Sequence, residues 1–204
     1  ESGEVLRTYT GHGDAVNGVN VSADGKTMLS ASSDSTIRLW EVNSGSMLRE
    51  FKGHTSSVNY ARFTPDQQHF VSTSWDDTVR EWEVATGDEI RQFVGHTGNT
   101  FGIDFSDDGT IMLTTSSDTT VRMWEMATGE ELNRFDNHTD WVQEVQFSPD
   151  QTYAISAGQD NTLRQWLIAR TTNELVTWAQ ANRYIRDLTC AERETYRLSL
   201  CTTE

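Results

Sequence analysis

The sequence predicts an all-β fold made of four copies of one four-stranded unit, followed by a short helical tail. Histidine, aspartate and tryptophan each recur at a constant spacing of 42 residues along the 204-residue chain. A period of about 40–45 residues is typical of β-propellers, in which each repeat forms one four-stranded sheet, or blade. Glycines and aromatic residues are spread evenly, which suits many short strands joined by tight turns. We therefore expect propeller blades over residues 1–168 and helices over residues 169–204.

Each unit predicts the same order of strands and turns. An alternating inner strand is followed by a polar turn, a second strand, a tight turn that contains Asp34, and a third strand that ends at Trp40. An outer strand completes the unit. β-branched and aromatic residues fill the strands, and Gly, Asp and Asn fill the turns. In the first unit the strands are expected at 16–21, 28–32, 36–40 and 47–51. The expected blades cover about residues 5–46, 47–88, 89–130 and 131–168.

Four residue types keep the same register in every unit. A Gly-His pair opens each unit, with Asn137-His138 in the last, and a Ser or Thr, an Asp and a third-strand Trp follow. The four sets are His12, Ser30, Asp34 and Trp40; His54, Ser72, Asp76 and Trp82; His96, Thr114, Asp118 and Trp124; and His138, Ser156, Asp160 and Trp166. These motifs resemble the WD-repeat family over residues 1–168. The Trp-Asp dipeptide that names the family is Trp-Glu in three units and Trp166-Leu167 in the fourth.

The resemblance implies that each set forms a hydrogen-bonded structural tetrad inside its blade. Asp would accept a hydrogen bond from the His ring, and the Ser or Thr hydroxyl would contact both the His ring and the Trp indole. Ser, His and Asp are also the residue types of a hydrolase triad. A triad needs one exposed nucleophile beside one oxyanion hole, whereas this set recurs four times in register. We therefore predict a structural role and no enzyme activity.

The histidines are also distributed unlike those of a metal site. They lie one per blade, with no short His/Cys cluster. The sequence therefore predicts no metal site and no cofactor. Four arginines follow the same period in the third strands, and we interpret them as solvated or blade-edge residues that pair with nearby acids. They are Arg38, Arg80, Arg122 and Arg164.

The WD-repeat resemblance also implies a partner-binding face at three positions of each unit. These positions are the third and fifth residues after His and the residue before Asp. Three of them hold large aromatic residues, namely Trp75, Phe101 and Trp141. Exposed aromatic side chains are favoured in binding hot spots, and the position of Trp75 directly before Asp76 should aim it outward. The other candidates are Asn17, Asn59, Gln143 and Gln159. The alternative interpretation is that these side chains only fill the channel rim or pack on a neighbouring blade.

Charge and composition exclude several classes of function. The chain has 16 Lys and Arg against 31 Asp and Glu, a formal net charge of −15. Such a surface repels phosphate backbones and suits basic or neutral protein partners. No apolar run approaches the roughly 18–20 residues of a membrane span, and two cysteines do not make a disulfide framework. We therefore expect a cytoplasmic protein that binds neither nucleic acid nor membranes.

Both ends of the array leave alternatives open. Residues 1–3 align with the turn at 43–45, so residues 5–9 predict the outer strand of a preceding blade. Propellers have about 4–8 blades, and an open array leaves unpaired edges. Either further blades belong to this array, the alternative we favour here, or two copies join into one eight-bladed ring.

The tail predicts helices and carries a looser resemblance. Apolar residues at three- and four-residue steps from 175 to 188 predict one helix, and the capping box at 189–192 predicts a second. The helices would pack on the side of the propeller or dock another domain. Residues 181–193 resemble the C-terminal ends of large bacterial WD-repeat signalling proteins. The leading hypothesis is a scaffold or sensor module that binds a protein or peptide. The alternatives are a self-assembling half-propeller and, more remotely, a propeller enzyme with its site at the channel mouth.

Overall fold

The computed structural model describes residues 3–168, and these residues form four antiparallel sheets. The predicted all-β propeller fold is confirmed. The chain divides into two compact units, residues 1–166 and 167–204. The helices expected over 169–204 lie outside the described residues. Within the described part of the chain, no helix has the length and apolar character needed to span a membrane.

Each sheet takes its strands in chain order. The first contains β1 (Val16–Val21), β2 (Thr27–Ser32), β3 (Thr36–Glu41) and β4 (Met47–Lys52), and the second contains β5 (Val58–Phe63), β6 (His69–Ser74), β7 (Val79–Glu83) and β8 (Glu89–Phe93). The third contains β9 (Thr100–Phe105), β10 (Ile111–Ser116), β11 (Val121–Glu125) and β12 (Glu131–Phe135). The fourth contains β13 (Val142–Phe147), β14 (Tyr153–Gly158) and β15 (Leu163–Leu167). Up to residue 168 the fourth blade therefore has three strands rather than the four that the repeat predicts.

Neighbouring sheets pack face to face through buried apolar side chains. Leu29 and Ile37 of the first sheet share one buried cluster with Ala61 and Phe63 of the second. A second cluster joins the second and third sheets in the same way, and β13 of the fourth sheet packs against β9 and β10 of the third. The second and third sheets thus use one face towards the preceding sheet and the other face towards the following sheet.

Residues 5–9 lie where an outer strand of a preceding blade would lie, but they are not a strand among the described residues. Arg7 donates to the carbonyl of Ser44 as Arg49 of β4 donates to that of Thr86 one blade further on. Tyr9 donates to the carbonyl of Val42 at 2.9 Å. A strand needs a hydrogen-bonded neighbour, and residues 3–168 supply none beside this segment, so the outer strand of a preceding blade stays a prediction.

Candidate partner-binding face

The recurring His, Ser or Thr, Asp and Trp residues form one hydrogen-bonded set in each blade. In the third blade His96 Nδ1 lies 2.9 Å from Asp118 Oδ2, and His96 Nε2 lies 2.8 Å from Thr114 Oγ1. Trp124 Nε1 donates to the same hydroxyl oxygen at 2.7 Å. The other three blades repeat these contacts. Because every one of these hydroxyl groups is buried, none is presented to solvent as a nucleophile.

A threonine two residues after each tetrad Asp extends the set. Thr120 Oγ1 donates to Asp118 Oδ1 at 2.6 Å, and its backbone N–H donates to the same oxygen at 3.0 Å. Sequence reasoning missed this fifth member, although its signal was present, since threonine recurs there with the same period. The four residues are Thr36, Thr78, Thr120 and Thr162.

Hydrogen bonds keep the tetrad aspartates ionised although burial acts in the opposite direction. Burial by itself raises the pKa of Asp118, but hydrogen bonds from His96, Thr120 and the backbone N–H of Thr97 hold that pKa well below its usual range. The same balance lowers the pKa of the other three acids, Asp34, Asp76 and Asp160. Burial lowers the pKa of His96 despite its contact with Asp118. At neutral pH the third blade therefore holds a charged aspartate against a neutral histidine.

The periodic arginines are paired with acids. Arg38 lies 2.8 Å from Glu50, Arg80 lies 2.8 Å from Glu89, and Arg122 contacts Glu131. Arg80, Arg122 and Arg164 also lie 3.6 Å from the tetrad Asp of their own blade. The expected pairing with acids is therefore observed, but the side chains of Arg38, Arg80 and Arg122 are largely buried rather than solvated.

The inner strand of each blade carries a β-bulge near its start. In the first, second and fourth blades the register with the second strand skips one residue, which is Asn17, Asn59 or Gln143. In the third blade the register shifts at the position of Phe101. A bulge redirects side chains out of the regular alternation. These four residues are members of the predicted contact set.

One pocket of about 400 Å³ brings all seven predicted contact residues together. Trp75 and Trp141 are 50% and 39% exposed there. The rings of Phe101 and Trp141 stack with a centroid distance of 5.9 Å and an interplanar angle of 27°. Asn17 comes from the first blade and Gln159 from the fourth, so the pocket collects side chains from the whole array.

The two asparagines in this pocket also join neighbouring blades. Asn17 Nδ2 donates to the carbonyl of Val58 at 2.9 Å and to Ser57 Oγ at 3.0 Å. Asn59 Nδ2 donates to the carbonyl of Thr100 at 2.6 Å. Their amide groups therefore hold the pocket wall in shape, and the exposed surface of the pocket combines aromatic rings with amide side chains.

Sequence reasoning missed three further residues of this pocket, Tyr60, Gly102 and Glu144. Desolvation raises the pKa of the Glu144 carboxyl group, while the N–H of Val145 and the charge of Arg62 act in the opposite direction. The pocket thus combines aromatic walls with one acidic group. The available signal was the alternation of glycine with a larger residue at this repeat position, in the order Gly18, Tyr60, Gly102 and Glu144.

Residues 3–168 contain no cluster of three or more His, Cys, Asp or Glu side chains that could hold a metal ion.

Comparisons with known proteins match the repeats seen in the structure. The profile described as "WD domain, G-beta repeat" matches four segments, residues 3–41, 45–83, 87–125 and 129–166. The crystal structure of the computationally designed Ika4 protein is similar to this chain with a TM-score of 0.72 at 29% identity, covering 82% of this chain and 99% of that one. A comparison with curated proteins gave no match.

Proposed function

Because this chain belongs to the WD40 repeat family, we propose that it is a non-catalytic scaffold module that binds a protein or peptide on the face formed by the inner-strand bulges. The single observation that carries the proposal is the pocket in which seven residues from all four blades meet. A fold alone does not specify a function, so the composition of this pocket has to carry the argument. Exposed aromatic side chains surrounded by amide groups are typical of sites that bind peptides.

The charge of the molecule favours a neutral or basic partner segment. Glu144 contributes a carboxyl group to the pocket, and the chain as a whole carries a formal charge of −15. Complementary charge speeds association and disfavours like-charged partners. The same field opposes the phosphate groups of nucleic acids and of anionic membrane surfaces, so the proposal includes neither as a partner.

The burial of the tetrad hydroxyl groups supports a non-catalytic role. Each hydroxyl already bonds to a His ring and a Trp indole, as Thr114 does with His96 and Trp124. A nucleophile held in this way has no access to a substrate. The recurring Ser, His and Asp are therefore assigned to the scaffold.

We extend the proposal to a cytoplasmic sensor module. The support is the resemblance of residues 181–193 to the ends of bacterial WD-repeat signalling proteins. The chain also has only two cysteines among 204 residues, which suits a reducing compartment.

Replacement of Trp75 tests the proposed face. Peptides selected from a random library on the wild-type chain should bind Trp75→Ala at least tenfold more weakly, because truncation of a hot-spot residue costs about 2 kcal/mol or more. Dissociation constants measured by isothermal titration calorimetry would show the change.

Leu132→Ala is the matched control for this experiment. Leu132 is 46% exposed, close to the exposure of Trp75, but lies on β12 outside the pocket. This variant should bind the selected peptides as the wild type does. Equal affinities of wild type and Trp75→Ala for every selected peptide would contradict the proposed face.

A further inference from the structure

The first blade exposes the face that would receive a preceding blade. Val16, Val19 and Val21 on β1 are 52%, 54% and 52% exposed. Their equivalents on β5 face the first blade and are all buried, namely Val58, Ala61 and Phe63. The first blade therefore has the apolar surface of a blade interface, and no blade among residues 3–168 packs against it.

The fourth blade exposes the complementary face. Ile155 on β14 and Leu163 on β15 are 42% and 75% exposed. Their equivalents in the first blade, Leu29 and Ile37, are buried against the second blade. Contiguous exposed apolar surface of this kind marks an interaction site.

We propose that a second copy of this chain covers both faces. The first blade of each copy packs on the fourth blade of the other, and the two equivalent junctions, related by a two-fold axis, close one eight-bladed ring. A second copy is the occupant that fits, because it carries both complementary faces in the register that the internal junctions use. Head-to-tail contacts of this type end in a closed assembly when the rotation returns to its start.

Polar contacts between blades continue into the proposed junction. Asn20 Oδ1 accepts from the backbone N–H of Phe63 at 3.0 Å, and Asp104 Oδ2 accepts from that of Phe147 at 2.7 Å. The same position in the fourth blade is Gln146, which is exposed. In the proposed ring, the side-chain oxygen of Gln146 accepts the corresponding hydrogen bond, which the backbone N–H at the end of β1 in the second copy donates.

The spacing of inner strands also fits this junction. A Cβ atom on Gly18 would lie 2.7 Å from Tyr60 Cδ2, and one on Gly102 would lie 2.9 Å from Glu144 Cα, so each glycine permits a close approach of the next blade. Tyr60 in turn packs against the buried cluster that joins the second and third blades. Glycine and a larger residue thus alternate along the array. After Glu144 the alternation requires glycine, and Gly18 of the second copy supplies it.

The position of residues 5–9 gives independent support for the proposed ring. Tyr9 packs edge-to-face on Trp40 with a centroid distance of 5.8 Å, as Phe93 of the second blade packs on Trp124 of the third at 5.7 Å. The segment therefore holds the outer-strand position of a blade that lies before the first one. In the proposed ring this blade is the fourth blade of the second copy, whose described residues form three strands. The segment is positioned to pair with β15 there.

Solution mass tests the ring. Light scattering on a size-exclusion column should give twice the chain mass of 23.1 kDa at micromolar concentration.

Leu163→Glu and Val19→Lys each place a charge in the junction, and each variant should run at the mass of one chain. Both positions are exposed in a single copy, so circular dichroism should show wild-type secondary structure. Val94→Glu, at an 82% exposed site just after β8, is the matched control and should keep the wild-type mass.

Mixing the two junction variants tests the head-to-tail arrangement. The equivalents of residues 163 and 19, Ile37 and Ala61, share one buried cluster. An equimolar mixture of Leu163→Glu and Val19→Lys should therefore regain twice the chain mass, since one junction is native and the other pairs opposite charges. A wild-type mass of one chain, masses that grow without limit with concentration, an unaffected Leu163→Glu variant or a mixture that stays at one chain would each overturn the proposal. None of these outcomes depends on the peptide pocket.

Discussion

The tetrad hydroxyl groups connect strands because each one bonds to two rings. Trp124 Nε1 donates to Thr114 Oγ1, and the hydroxyl is left to donate to His96 Nε2, since His96 Nδ1 carries the proton that faces Asp118. Asp118 is held in turn by Thr120. Every polar atom in the chain of contacts therefore has a partner, which a buried network requires.

The lowered pKa of His96 predicts a pH-dependent stability. Its folded pKa lies below the unfolded value of about 6.5, so the unfolded state binds more protons and the stabilisation is lost as pH falls through the folded pKa. The free energy of unfolding should decrease from pH 8 to about pH 5. The lowered pKa values of the tetrad acids add a further decrease below about pH 4. Urea denaturation across this range measures both effects.

Replacing His96 shows how much of this pH dependence comes from its ring. His96→Gln removes the titrating ring, so the dependence of the unfolding free energy on pH between about 5 and 8 should become shallower. Leu132→Ala, which removes an exposed apolar side chain and no titrating group, is the control and should keep the wild-type slope. Parallel profiles for the wild type and His96→Gln would contradict the argument.

Single residues differ in how far the sequence predicts them. The tetrads were predictable because four types recur in register, and Thr120 was visible by the same rule. Trp75 was predictable as a candidate because its neighbour Asp76 fixes its place in the turn. Glu144 was not, because its position in the pocket depends on the close approach of Gly102 from another blade. The alternation of glycine with a larger residue at this repeat position indicates a close approach of blades, but it does not say that these residues line a pocket.

At the scale of elements, turns and bulges place the functional side chains. The turn after each second strand puts one residue in the left-handed region. In the third blade that residue is Thr119, with φ of 70°. A β-branched side chain in this region is strained, whereas Asn adopts it readily.

Thr119→Asn should therefore raise the free energy of unfolding by about 1 kcal/mol through relief of that strain. The fourth blade already has Asn161 at the equivalent position, with φ of 61°. Ser35→Asn is the matched control, because Ser35 has φ of 68° without β-branching, and its gain should be smaller. Denaturant unfolding of the two variants measures both changes in the free energy of unfolding. Equal changes in the two variants would refute the strain argument.

Strands were predictable where each had a partner. The strands expected at 16–21 and 28–32 are observed at Val16–Val21 and Thr27–Ser32, because alternation and turn residues fix both ends. Residues 5–9 are similar in composition to an outer strand but have no neighbouring strand in the described structure. Composition therefore predicts the tendency to pair, and the neighbour decides whether pairing occurs.

At the scale of the molecule, the array over residues 3–168 is a row of similar junctions, and within this described part its two outermost faces are uncovered. Its interior sheets are covered on both faces, whereas β1 and β15 expose Val19 and Leu163. In such an array, local stability depends on the neighbours of each repeat. The uncovered blades are therefore expected to open more readily than the second and third blades.

Hydrogen exchange can detect the covering of those ends directly. If a second copy packs on them, raising the protein concentration should slow amide exchange in β1 and β15, because binding stabilises the covered state in proportion to the logarithm of partner concentration. Exchange in β6 and β10, which are already covered, should change far less. Mass spectrometry of peptides at two concentrations measures both sets in one sample. Leu163→Glu should abolish the concentration dependence while leaving β6 and β10 protected, and equal slowing in all four strands would instead indicate a general effect on the whole fold.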